Sequence, residues 1–196
     1  MVARTVPDDA PEPFRRALQA LKDVAVRPEV VLTEAPSPGR IAPYSVALTA
    51  DVVDRRPGGD GEELATGRFV LLYDPSAPEP WDGVFRAVTF VRADLEPELG
   101  SDPLLGEVGW SWLLEALGQR GAAYVREGGT VTRVVSESFA ALADRPSGVE
   151  IEVRASWTPT DDDLSAHLLA WTDLLCTVAG LPPLPEGVTA LPSRRR

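Results

Sequence analysis

The chain has 196 residues, 44% of them hydrophobic and 25% charged, with a formal net charge of −11. That is the composition of one globular domain with enough apolar material to build a core without disulfides or metal. The negative charge argues against nucleic acid and anionic membrane as partners, because both attract proteins through phosphate groups.

Other features point the same way. No stretch approaches the roughly 20 apolar residues that cross a bilayer, and "MVARTVPDDAPEPF" lacks the basic start and apolar core of a signal peptide. The single cysteine, Cys176, has no internal partner, which suits a reducing compartment. The expected location is the cytoplasm. Lys22 is the only lysine, Ile41 and Ile151 are the only isoleucines, and asparagine is absent. A GC-rich genome produces this skew, because the codons for these residues are AT-rich.

Residues 1–11 read as a loose, proline-bearing arm. Pro13 suits a first helical turn, and Phe14, Leu18, Leu21 and Ala25 then repeat on one helical stripe until Pro28. Short and long strands follow at 29–35, 44–54, 64–74 and 84–95. In the second, Tyr44, Val46, Leu48, Ala50 and Val52 alternate with polar residues. The glycine-rich "RRPGGDGEE" between the second and third strands marks a hairpin turn.

Asp102 and Pro103 are the expected start of a central helix that stops near Gly121. "REGGT" reads as a turn, and strands follow at 130–139 and 148–157. The second of these is the cleanest in the chain: Val149, Ile151, Val153, Ala155 and Trp157 alternate with Glu150, Glu152, Arg154 and Ser156. A last helix is expected from Thr160, with Asp163 at capping-box spacing and a stripe of Leu164, Leu168, Trp171, Leu175 and Val178. Gly180 is its expected stop. The order α-β-β-β-β-α-β-β-α predicts an α+β domain over 12–181, with a mostly antiparallel sheet of five to six strands packed by helices. One sheet face is partly exposed to solvent, and residues 1–11 and 182–196 are flexible or extended termini.

Chemical signatures are scarce. His167 is the only histidine. Together with Asp163 it supplies two ligands of the three or four that a metal site needs, and Cys176 falls on the opposite side of the same helix. No GxSxG elbow, phosphate loop or EF-hand spacing occurs. Carboxylate pairs such as Glu150 with Glu152 suit a solvated sheet face. The sequence therefore points to no catalytic, cofactor-binding or metal residues.

Aromatic residues are more informative. Trp81 lies in the proline-rich loop "APEPWDGVF", where it either plugs a core edge or anchors a partner. In the central helix, Glu107, Ser111, Glu115 and Gln119 form a narrow polar ridge. Trp110, Trp112, Leu113, Leu114, Ala116 and Leu117 occupy an apolar arc of roughly 200°, about twice that of an ordinary surface helix. Such a helix needs two layers to pack against: the sheet, and then another helix, the Trp81 loop or a second subunit. Trp81, Trp110, Trp112 and Leu114 are therefore the candidate partner-binding residues.

The segments "GWSWLLEAL", "PEPFRRALQAL" and "WTDLLCTVAGLPPLP" resemble an actinobacterial protein family of unknown function, over about residues 12 to 190. That resemblance implies no activity, cofactor or site residue. The element order is also similar to that of small acidic secretion chaperones, with one strand more. The expectation is a non-catalytic, cytoplasmic protein-binding or chaperone-like module that binds a protein partner or a second copy of itself. The alternative is a small-molecule-binding protein or enzyme with a carboxylate and arginine pocket between sheet and helix.

Overall fold

The computed structural model describes residues 10–55, 61–161 and 163–183. Most of the two expected terminal arms, the centre of the glycine-rich turn and the arginines at the end of the sequence lie outside these.

Three helices and six strands follow in the order α1 (Glu12–Lys22), β1 (Val30–Ala35), β2 (Tyr44–Val53), β3 (Glu63–Tyr73), β4 (Phe85–Leu95), α2 (Leu105–Gln119), β5 (Tyr124–Ser136), β6 (Gly148–Pro159) and α3 (Leu164–Val178). The strands form one antiparallel sheet in the order β1-β2-β3-β4-β6-β5. The fold is α+β, with the element order expected from the sequence. The first four strands form a meander. Helix α2 then carries the chain to the far edge, so that β5 pairs only with β6 and β6 pairs with β4.

All three helices lie on one face. Strand β6 has the alternation its sequence implies: Val149, Ile151, Val153, Ala155 and Trp157 are buried beneath the helices, and their neighbours face the other way. Helix α3 is the central element. Besides its expected stripe, it buries Ala166, His167, Ala170, Thr172, Leu174 and Cys176. A helix buried almost all round needs neighbours on every side; here they are β2, β3, β4 and β6 below, α2 on one flank and α1 on the other.

Gly67 of β3 makes the close approach of α3 to the sheet possible. A Cβ there would lie 2.6 Å from the Phe90 carbonyl oxygen and 3.0 Å from both the Trp171 ring and a Leu175 methyl. Trp171 occupies that seat and donates its indole N–H to the Phe90 carbonyl at 3.3 Å. At one end of the sheet, Phe14 of α1 stacks on Tyr73 and leans on Tyr44, and Tyr73 continues to Phe85.

Several boundaries differ from expectation for identifiable reasons. Helix α1 closes at Asp23, ahead of Pro28, while keeping Phe14, Ala17 and Leu21 buried. Asp102 does not cap α2; it accepts a hydrogen bond from the Leu104 N–H inside a turn that follows a short 3₁₀ segment. Helix α2 starts at Leu105, and Pro103 precedes it. Asp163, not Thr160, is the N-cap of α3, accepting from the Ser165 N–H at 3.2 Å. Gly180, with φ of 69°, ends that helix as expected, and Leu181 N–H closes back on the Cys176 carbonyl.

The largest difference is β5, which begins at Tyr124 and not at 130. The expected turn "REGGT" is a bulge inside the strand: pairing with β6 shifts register between Val125 and Gly128, with Arg126 at φ 56°. Gly129 lies under the Trp110 ring, where a Cβ would meet the ring at 2.8 Å and the Arg154 carbonyl oxygen at 2.1 Å. A glycine that looks like part of a turn in sequence thus makes room for a helix side chain.

Filling the seat at residue 67 should be costly. Gly67→Ala is expected to lower unfolding free energy by about 1–3 kcal/mol, the usual range for an overpacked core, as measured by urea denaturation.

Candidate functional site

The helix–sheet interface, where the alternative reading places a carboxylate and arginine pocket, is filled. Trp157, Trp171, Phe69, Leu71, Leu113, Leu117, Ile151 and Leu168 are fully buried there. Within it sits one polar pair. His167 Nδ1 accepts the Trp157 indole N–H at 2.9 Å. This fixes the neutral tautomer, with the proton on Nε2. Among the described residues, that N–H has no hydrogen-bond partner, and the carboxylate oxygen Asp161 Oδ1 is 3.5 Å away.

Asp161 is held by the Ala123 and Asp163 N–H groups, so His167 faces the fixed loop that enters α3. Burial lowers the pKa of His167, and the Asp161 and Asp163 carboxylates oppose that shift. His167 and Asp163 therefore act locally in the entry to α3. Among the described residues, no group of three or more His, Cys, Asp or Glu side chains is arranged to hold a metal. Cys176 is buried in the core, which pushes its thiol up to about 11.

The four aromatic and aliphatic candidates do not form one surface. Trp110 and Trp112 are half-buried and pack on the same core, Trp110 over β5 and its glycine. Leu114 is half-buried on α2. The second layer that α2 needs is α3 of the same chain. Trp81 lies on the opposite side of the sheet, where it packs with Ala35 and Ala42 on buried Ala47, Val70 and Leu72. Its carbonyl accepts the Thr158 hydroxyl at 2.5 Å. Trp81 thus covers one end of the face that carries no helix.

The rest of that open face holds a depression of about 360 Å³. It crosses four strands, from Arg68 and Val70 through Val88 and Phe90 to Arg154, Ser156 and the Gly128–Thr130 segment of β5. Arg68, Phe90, Arg154 and Thr130 are directly opposed across β3, β4, β6 and β5 and so share a row. The Arg154 guanidinium lies over the Phe90 ring, 4.7 Å from its centroid, and pairs with Glu152 at 2.8 Å. Arg68 donates to the Pro36 carbonyl.

Arg86 holds the Ser156 hydroxyl of the lining at 2.7 Å, and donates also to the Arg126 carbonyl at 2.8 Å and the Thr158 hydroxyl at 3.1 Å. It ties the β5 bulge to β4 and β6, and partial burial lowers its pKa. On β4 and β6 the carboxylates of this face lie at the end away from Arg86, where Glu150 pairs with Arg92 at 2.6 Å, while Asp82 pairs with Arg126 at 3.2 Å on the side of Arg86.

These observations can be set against known proteins. A family model described as "Protein of unknown function (DUF3000)" matches residues 10–189. The chain belongs to that family. Neither a curated protein nor a solved structure matches it. The DUF3000 assignment agrees with the resemblance carried by the two tryptophan-bearing segments and the opening helix, and it assigns no activity.

Sequence reasoning missed Arg68, Phe90 and Arg154 as a group. Alternation in β6 does place Arg154 on the polar face, but only the strand order sets it beside Phe90.

Two predictions follow from the buried groups. The folded chain holds His167 neutral, with a pKa below its unfolded value of about 6.5, so its contribution to stability is complete above that pH and declines below it. Unfolding free energy should fall by up to about 1.4 kcal/mol per pH unit between 6.5 and the depressed folded value. Chemical denaturation as a function of pH should show this slope in the wild type and not in His167→Asn, whose side-chain oxygen takes the place of Nδ1 and can still accept from Trp157. Cys176 should be inert to a thiol reagent such as Ellman's in native buffer and react fully in denaturant.

Proposed function

We propose that this DUF3000 chain is a non-catalytic protein-binding module that docks strand to strand at β5. The observation that carries this reading is the β5 edge. Its 13 residues pair on one side only among the described residues, and it is exposed along nearly its whole length. Natural sheets usually shorten or charge such an edge. The opposite edge is short: β1 has six residues and is followed by Pro36. Strand β5 has its bulge and most of its charges near its start, and its second half carries Val134 and Val135 at 37% and 52% exposure. Exposed Leu104 and Val108 at the start of α2, and Phe139 and Leu142 just beyond β5, add apolar surface.

The partner that fits best is a second copy of the chain. Antiparallel pairing of two β5 strands about Thr132 puts Thr130 opposite Val134, Val131 opposite Arg133 and Gly129 opposite Val135. Within residues 128–136 no charged residue lies directly opposite a like charge, and the pairing is self-complementary, as a two-fold interface requires. The result is a continuous twelve-stranded sheet, twice the six strands of one chain. A cytoplasmic location and an actinobacterial source belong to the same proposal. The composition supports the source. Among the described residues, no helix is long and apolar enough to cross a membrane.

Light scattering should give twice the 21.0 kDa monomer mass. Replacing Val134 and Val135 together by lysine should return the monomer with an unchanged circular dichroism spectrum. A monomeric wild type at about 100 μM would overturn self-pairing.

A further inference from the structure

We infer that the depression around Phe90 is a binding site for a small, flat organic acid, one that lays its apolar body on Val70, Val88 and Phe90 and its anionic group between Arg68 and Arg154. This proposal is independent of pairing at β5. The depression has the size of a small-ligand site, and its lining includes two arginines and no acid. In a chain of net charge −11, that local choice runs against the overall balance.

The two arginines stand on the strands either side of Phe90, so their main chains are about 10 Å apart, two strand spacings. Among the described residues, Arg68 is engaged by a neutral carbonyl, so its charge is not cancelled by a carboxylate there. The guanidinium of Arg154 pairs with Glu152 through one nitrogen at 2.8 Å and lies against an aromatic face, the arrangement in which a planar ligand can extend the stack. The Ser156 hydroxyl and the main chain at Gly128 and Gly129 complete the floor.

An extended acidic peptide fits less well. Asp94, Glu150 and Glu152 lie on the same face beyond the arginine row, and a chain running along β4 or β6 would meet them.

A fluorescent aromatic sulfonate, 8-anilinonaphthalene-1-sulfonate, tests the site against its uncharged analogue, N-phenyl-1-naphthylamine. The sulfonate should bind the folded full chain saturably with one site per chain. It should weaken roughly tenfold in Arg68→Gln and in Arg154→Gln, as expected for loss of a charge-assisted hydrogen bond. The uncharged analogue should bind more weakly and be indifferent to both changes. In amide NMR spectra of the wild type, the sulfonate should shift Gly128, Gly129 and Thr130. Equal binding of the two probes, equal sulfonate binding by wild type and variants, no saturable binding, or shifts confined to the helix side would each overturn the proposal. Both arginines are exposed on the open face, so the variants should keep the wild-type unfolding midpoint, and that midpoint is measured alongside.

Discussion

Trp171 rests where residue 67 has no side chain, and the arrangement of the other helices follows from that contact. The indole reaches the sheet backbone closely enough to bond the Phe90 carbonyl. At that depth α3 is enclosed below by four strands and on its flanks by α1 and α2. The second layer that the wide apolar arc of α2 requires is supplied by α3, so Trp110 and Trp112 spend most of their apolar surface inside the chain. The close approach also explains why a helix rich in leucine and alanine can bury His167: the Trp157 indole is within reach to hydrogen-bond it.

The legibility of the fold in the sequence varied with the number of forces acting on each element. Strand β6 alternates cleanly because one face meets helices and the other meets water, and its reading was accurate almost to the residue. The stripe of α3 was legible too, but not its burial all round, because that depends on neighbours far away in the chain. Strand β5 starts earlier than its glycine pair suggests because Gly129 serves tertiary packing under Trp110, whereas local rules assign such a pair to a turn. Helix caps failed in a similar way: Asp102 and Asp163 both accept main-chain hydrogen bonds, but one does so in a turn before its helix and the other as the cap itself.

The open face was the least legible part. Each strand taken singly contributes an arginine or an aromatic that looks like ordinary surface. Only the order β3-β4-β6-β5 brings Arg68, Phe90, Arg154 and Thr130 into one row. The same order separates Trp81 from the tryptophans of α2 by the thickness of the sheet, so residues grouped by aromatic character in the sequence serve two different surfaces. The charge on this face is also sorted, with acids at one end paired to Arg92 and Arg154 and the deepest part of the depression free of acids.

Helix α1 opens the fold, yet its neighbour among the helices is α3, which closes it. Arg27, just after α1, donates to the Pro182 carbonyl at 2.8 Å, joining the two extremes of the described chain. Contacts this distant in sequence close late, because the intervening chain must first be ordered. On the ribosome, Phe14 therefore emerges before Tyr44 and Tyr73, and the flank of α1 that packs on α3 waits for the last helix to be made. For that interval this flank of α1 is open to chaperones and to neighbouring nascent chains, and emergence of α3 is the event that covers it.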